Sequence, residues 1–315
     1  YKSYGVNMVR FHSWCPPEAA FQAADKLGLY LQPELSCWAG GMLGDETNRN
    51  YYTREAFAVI KEYANHPSFV MLTFGNELGY NGNDYLEQGD KLIQELQAED
   101  ATRLYAPGSN GQFGSLAPPP PSAFSPAQNY GNLAFRGSYG GLNGFLNQNY
   151  PSGAMNFDDV MEALDAFDLP AFSFEVGQYQ VFPDVLTEPE RYTGALEARN
   201  LQTVLERLKE KGYTEEYIRQ AIEASGMLSR LGYKAEIEAA LRTEGMDGIS
   251  LLGLQDFTGQ GTALVGMMNA FGQPKPYDFA APKEFSNVFA PVVPLLETEK
   301  FSWPNDETLT GRLLI

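Results

Sequence analysis

The sequence predicts an α/β chain folded as a (β/α)8 TIM barrel. Three observations support this: short apolar runs alternate with helical patterns, several of those runs end in a polar or charged residue, and no glycine-rich phosphate loop follows an early strand. The last point lowers the competing reading, an open doubly wound sheet. Seven strand-like runs occur where a barrel needs eight, and the chain opens in YKSYG, which reads as the end of a helix. The expectation is therefore a barrel whose first strand lies outside this chain.

Taken in order, residues 5–11 read as a buried strand, and a helix follows over 18–27 with Phe21, Ala24 and Leu27 on its apolar face. Residues 29–34 form the next strand, ending at Glu34. A loop with Trp38 leads to a helix over 53–64, and 69–77 is a strong strand closing on Asn76 and Glu77. A helix over 84–99, a strand over 103–108, a weaker strand near 132–137, a helix over 157–167 and a strand over 171–175 continue the alternation. The charged stretch 188–243 holds at least two helices, with breaks near Gly212 and Gly226, before a last strand over 249–256 ends at Asp256. Residues 1–285 are thus read as the barrel. Residues 286–315 are read as a linker and the start of a following β-sandwich domain. The Gly-, Pro- and Ser-rich run 110–156 is too long for an idle connection and reads as a loop shaping a pocket, or else as an insertion.

The formal net charge of −18, with 22 basic residues and no basic block, disfavours nucleic acid and anionic membranes as partners. Two histidines exclude a His-rich metal site, and no metal or cofactor is implied. No run of about 20 apolar residues is present to span a bilayer. Cys15 and Cys37 alone do not identify a compartment; a bacterial periplasmic or secreted location is preferred to the cytoplasm. The sequence does not specify an oligomeric state.

Polar residues at the C-terminal ends of barrel strands project into the region where such folds do chemistry. They are Arg10 and His12, Glu34, Asn76 and Glu77, Glu175 and Asp256. Arg10 and Glu34 serve equally as an ion pair closing the barrel top, and Asp256 as a salt-bridge partner or a ligand for a sugar hydroxyl. Glu77 and Glu175 are the pair suited to general acid/base and nucleophilic work on a glycosidic bond. Carboxyls roughly 5 Å apart support double displacement and a gap of roughly 6.5–9.5 Å supports inversion, a distance that sequence does not supply. Trp38 and Tyr179 follow strand ends and suit either stacking on a sugar face or ordinary packing.

Four segments carry a family resemblance: 7–18 (NMVRFHSWCPPE), 24–34 (ADKLGLYLQPE), 65–77 (NHPSFVMLTFGNE) and 172–180 (FSFEVGQYQ). Together they resemble the barrel of glycoside hydrolase family 2, which includes β-galactosidases, β-glucuronidases and β-mannosidases, over roughly residues 1 to 280. The resemblance implies retention of configuration, with Glu77 as acid/base, Glu175 as nucleophile, Asn76 on the sugar 2-hydroxyl and Arg10 beside the nucleophile. It also implies a tyrosine on the nucleophile, for which Tyr139 is the first candidate and Tyr130 the reserve. Flanking β-sandwich domains and an oligosaccharide or glycoside substrate follow from it as well. The chain departs from well-known members in three places: His12 sits one position early, no Asn-x-Lys follows late in the barrel, and Val176-Gly-Gln-Tyr179 matches neither the galactosidase nor the glucuronidase pattern. The expectation is a β-galactosidase-like exo-acting enzyme. An endo-acting mannanase or cellulase of the same clan, or a catalytically silent carbohydrate-binding barrel, stands as the alternative.

Overall fold

The computed structural model describes residues 1–38, 41–79, 83–113, 121–137, 155–260 and 264–315. Parallel strands run through it in sequence order. Strand β1 (Met8–Phe11) pairs with β2 (Tyr30–Pro33), β3 (Met71–Thr73) with β4 (Leu104–Ala106), and β7 (Ala171–Val176) with β8 (Met246–Leu251). Isolated parallel bridges connect these pairs: Leu31 to Phe69 and Glu34 to Thr73 join β2 to β3, and Ser125 to Ala171 reaches β7. The Ala123 N–H donates to the Tyr105 carbonyl, so residues 123–127 occupy the place between β4 and β7. The ladders are short and fragmented, and among the described residues they do not close into an eight-stranded barrel. What stands is an α/β fold of parallel strands covered by helices.

The weaker strand expected near 132–137 is corrected by this arrangement. That region instead makes a small antiparallel hairpin of β5 (Asn129–Tyr130) and β6 (Leu133–Ala134), turning at Gly131. The strand position is filled by the preceding Pro- and Ser-rich residues, where Pro126 lacks an N–H and pairing falls back on single bridges.

Alternation along the strands separates two cores. On β3, Met71 points inward to a cluster with Ala106, Phe124 and Phe174, while Leu72, and Phe74 just beyond the strand, pack in the core shared with the helices. Above the inner apolar plug lies a polar layer. Gln32 Nε2 donates to Thr73 Oγ1 at 3.2 Å and to Ser109 Oγ at 2.9 Å, and the two hydroxyls are 2.8 Å apart. The Gln32 amide N–H groups and the two hydroxyls satisfy one another, which offsets part of the cost of burial, while Gln32 Oε1 has no partner among the described residues.

Helices α1 (Glu18–Leu27), α2 (Glu46–Tyr63) and α3 (Asn83–Glu99) cover the outer face of the first strands. Phe21 of α1 stacks on Tyr63 of α2 at 4.2 Å between ring centroids. Helix α2 starts earlier than its apolar pattern indicates because the Asp45 carboxylate caps it, accepting from the Asn48 N–H at 2.9 Å. His66 lies at the far end of β3 with its Nδ1 2.6 Å from Asp25.

The second half is covered by α4 (Asp158–Leu164), α5 (Arg199–Glu210) and α6 (Glu215–Arg242). The break expected at Gly226 does not occur, and α6 runs straight through it. The residue is glycine because a Cβ there would lie 2.2 Å from the Phe279 ring, so a bare backbone is what lets the helix pack. Beyond the short helix α7 (Pro282–Phe285), strands β9 (Leu295–Glu297) and β10 (Arg312–Leu314) form an antiparallel pair. No described helix is long and apolar enough to cross a membrane.

Candidate active site

Inward alternation on β1 and β2 carries Arg10 and Glu34 to the strand ends, one step above Met8 and Gln32. Glu34 is completely buried, and each of its oxygens accepts one bond: Oε1 from Arg10 Nε at 2.5 Å and Oε2 from the Ser13 N–H at 2.6 Å. Arg10 also donates through Nη2 to Asn76 Oδ1 at 2.5 Å, and its Nη1 lies 3.8 Å from Glu175 Oε1. One guanidinium therefore touches the ends of β2 and β7 and the residue before Glu77. Its fixed, planar set of donors makes that possible.

Glu77 and Glu175 share an uncommon backbone conformation, with φ of 52° and 56°. Non-glycine residues in the left-handed region are sparse and concentrate at functional sites, where surrounding structure holds them. At Glu77 the holding bonds come from neighbouring strand ends: its N–H donates to the Ser109 carbonyl, and the Asn76 N–H to the Cys37 carbonyl. At Glu175 a break in the β7–β8 register accompanies the turn, and Gly177 follows at φ 88°. A Cβ on Gly177 would lie 1.9 Å from the buried Tyr233 ring, so both the dihedral and the space demand glycine.

The two carboxylates have different surroundings. Glu77 is half-buried, and its Oε2 accepts from the indole N–H of Trp38 at 2.8 Å. The Trp38 ring is 60% exposed and meets the exposed His12 ring edge-on at 6.0 Å. Glu175 is buried between two arginines. Arg136 Nη1 donates to its Oε2 at 3.2 Å and to its carbonyl at 3.1 Å.

Arg136 follows the β5–β6 hairpin, and its Nη2 also donates to Gln128 Oε1 at 3.3 Å. Next to it stands Glu236 of α6, whose carboxylate accepts from the Gly137 N–H at 2.6 Å, the Gly177 N–H at 3.1 Å and the Tyr179 hydroxyl at 2.9 Å. Burial pushes the Glu236 carboxyl up; the Tyr179 hydroxyl, the two backbone donors and the Arg136 charge pull against it. Sequence reading had no means of finding Glu236, which is one acidic residue among many in a charged helix.

The remaining expected residues are spread more widely. Tyr179 points its hydroxyl at Glu236. Asp256 is buried in an ion pair with Lys275 at 2.8 Å and accepts from the Gly266 N–H at 2.8 Å, the salt-bridge arrangement that the sequence left open. Burial raises its carboxyl, with Lys275 opposing. Nearby Glu188 is pushed up to about 7 by burial, then by the charge of Asp256. Tyr130 packs edge-on against Phe167 at 5.9 Å. Tyr139 lies outside the described residues, as does much of the 110–156 loop. No group of three or more potential metal ligands occurs among the described residues.

No protein-family model matches the chain. In sequence it is similar to a putative β-glucuronidase of Formosa agariphila, 30% identical over 122 residues that make up 35% of this chain and 15% of that protein. In structure it is similar to a β-glucuronidase from an uncultured Clostridium sp., with TM-score 0.56 and 16% identity over 90% of this chain and 45% of that one. A β-D-mannosidase of Dictyoglomus thermophilum gives TM-score 0.56 and 17% identity over 94% of this chain and 36% of that one. The chain spans less than half the length of these proteins. It has an α/β fold related to the barrel of the family 2 clan of glycosidases, and its relationship to them in sequence and structure is a distant one.

Proposed function

We propose that this chain carries the catalytic part of a retaining β-glycosidase, with Glu175 as nucleophile and Glu77 as acid/base. The observation that supports it best is the Arg10 bridge, which touches both Glu175 and the Asn76 that precedes Glu77. The bridge thus links the nucleophile candidate to the strand end that carries Glu77, and the two glutamates differ in burial.

In the first step a Glu175 oxygen bonds to the anomeric carbon as the glycosidic C–O bond breaks, and the leaving oxygen takes the Glu77 proton. In the second, Glu77 accepts a proton from water, the water oxygen bonds to the anomeric carbon, and the Glu175 ester bond breaks. Neither step needs a cofactor. Asn76 is assigned to the sugar 2-hydroxyl, and the exposed Trp38 and His12 to the rim of the pocket.

The reading carried from the sequence is a terminal neutral β-hexoside, galactoside first. A β-glucuronide is the second reading, favoured by the names of the Formosa and Clostridium proteins. Aryl β-galactoside, β-glucoside, β-mannoside and β-glucuronide assayed side by side with the full-length protein decide between them.

The roles are tested by a leaving-group series. Glu175→Ala should be inactive on every glycoside. Glu77→Ala should retain turnover on substrates with acidic leaving groups and be accelerated by azide. Equal losses in both variants, insensitive to azide, would rule the assignment out.

A further inference from the structure

Arg10, which the family resemblance sets beside the nucleophile, is largely committed elsewhere. Its Nε is taken by Glu34 and its Nη2 by Asn76, leaving Nη1 at 3.8 Å from Glu175 Oε1. The shorter cationic contact comes from Arg136, whose Nη1 reaches two oxygens of the same residue, the Glu175 carbonyl and Oε2. A two-hydrogen donor bridging a residue's own backbone and side chain fixes the side-chain torsions between them. That constraint matters here because the left-handed backbone at Glu175 removes the usual rotamer preferences of a strand.

We propose that Arg136 is a positioning residue for Glu175, holding Oε2 so that Oε1 is the oxygen that bonds to the anomeric carbon. The proposal rests on the reading of Glu175 as nucleophile. Glu236 makes the hold rigid. Its carboxylate binds the N–H of Gly137, directly after Arg136, and that of Gly177, two residues after Glu175, so one buried side chain ties both segments together. Among the described residues, the charged groups around Glu175 include Arg10 with its partner Glu34 from the first two strands, Arg136 from the hairpin side, and Glu236 from α6 near Arg136. A lysine at 136 would keep the charge but lose the planar fork.

The test uses the full-length protein and an activated deoxyfluoro analogue of its best aryl glycoside, which traps the glycosyl ester; mass spectrometry locates the labelled peptide and gives the labelling rate. Arg136→Met should slow both labelling and kcat roughly 10–100-fold, the range for a hydrogen bond to a charged group, with KM changed by less than about threefold. Arg136→Lys should recover part of that loss and remain about fivefold or more below wild type. Glu236→Gln, which keeps a hydrogen-bonding carbonyl but loses the charge, should fall between wild type and Arg136→Met.

A normal labelling rate per folded molecule in Arg136→Met overturns the proposal. If that variant does not fold, Arg136→Lys carries the test, and a rate within about twofold of wild type overturns the role of the fork. Wild-type protein labelled at a residue other than Glu175 overturns the assignment of the nucleophile, and this inference with it.

Discussion

The ends of β3 and β7 present the same residue type in the same left-handed conformation, yet their surroundings differ in kind. Glu77 is half-buried and accepts one neutral indole donor from an exposed ring. Glu175 is buried and lies between two guanidinium groups, themselves supported by Glu34 and Glu236. A carboxylate that attacks carbon must be held in one orientation, whereas one that exchanges a proton with a leaving group and with water must be reachable from the pocket. The difference between the two strand ends therefore matches the different roles proposed for them.

The largest expected effect breaks the charged side of this contrast. Arg10→Met leaves Glu34 buried with no cation and weakens the site around Glu175, so stability should fall by about 3–5 kcal/mol, as when one partner of a buried pair is removed. Urea melting measures this, and a loss below about 1 kcal/mol would show that the pair is dispensable.

Next in size is Gly177→Ala, which drives a Cβ into the Tyr233 ring and strains a positive φ. It should cost about 2–4 kcal/mol by the same assay, overpacking and backbone strain combined.

Trp38→Phe sharpens the comparison from the other side. It keeps the ring and removes the donor to Glu77. Stability should change by less than about 1 kcal/mol, and kcat on substrates with poor leaving groups should fall about tenfold. If aryl substrates with acidic leaving groups suffer equally, the indole serves something other than proton transfer.

A pH-dependent effect lies at a third glutamate, outside both environments. Glu188 is raised from its ordinary value to about 7, so the folded state binds its proton more tightly than the unfolded chain does. The resulting stability is fully present below about pH 4.5 and is lost as pH rises through about 7. Glu188→Gln should therefore melt higher than wild type at pH 8 and show no such gain at pH 5. A gain of the same size at both would place the effect outside ionisation.

The strand ends were legible because apolar runs closing on Arg10, Glu34, Asn76, Glu77 and Glu175 are local patterns. Residues 123–127 were not, since Pro126 and the surrounding serines hide a strand that survives on single bridges. Gly226 was read as a break because a sequence carries no sign of the Phe279 ring that needs its space. Glu236 was hidden for a related reason. What sets it apart from other helix acids is the arrival of two N–H groups, from 99 and 59 residues away.

The Gln32–Thr73–Ser109 layer bears on folding order as much as on the finished site. Its three contacts join residues 41, 36 and 77 positions apart, so it closes only after long stretches of chain have been gathered. A strand misaligned by one residue would turn Gln32 outward and offer the hydroxyls an apolar side chain instead. Such a species leaves further polar groups unmet in the interior and is destabilised by them. The layer thus favours the alignment in which Gln32 faces Thr73 and Ser109, the one that also brings Glu34 to the strand ends.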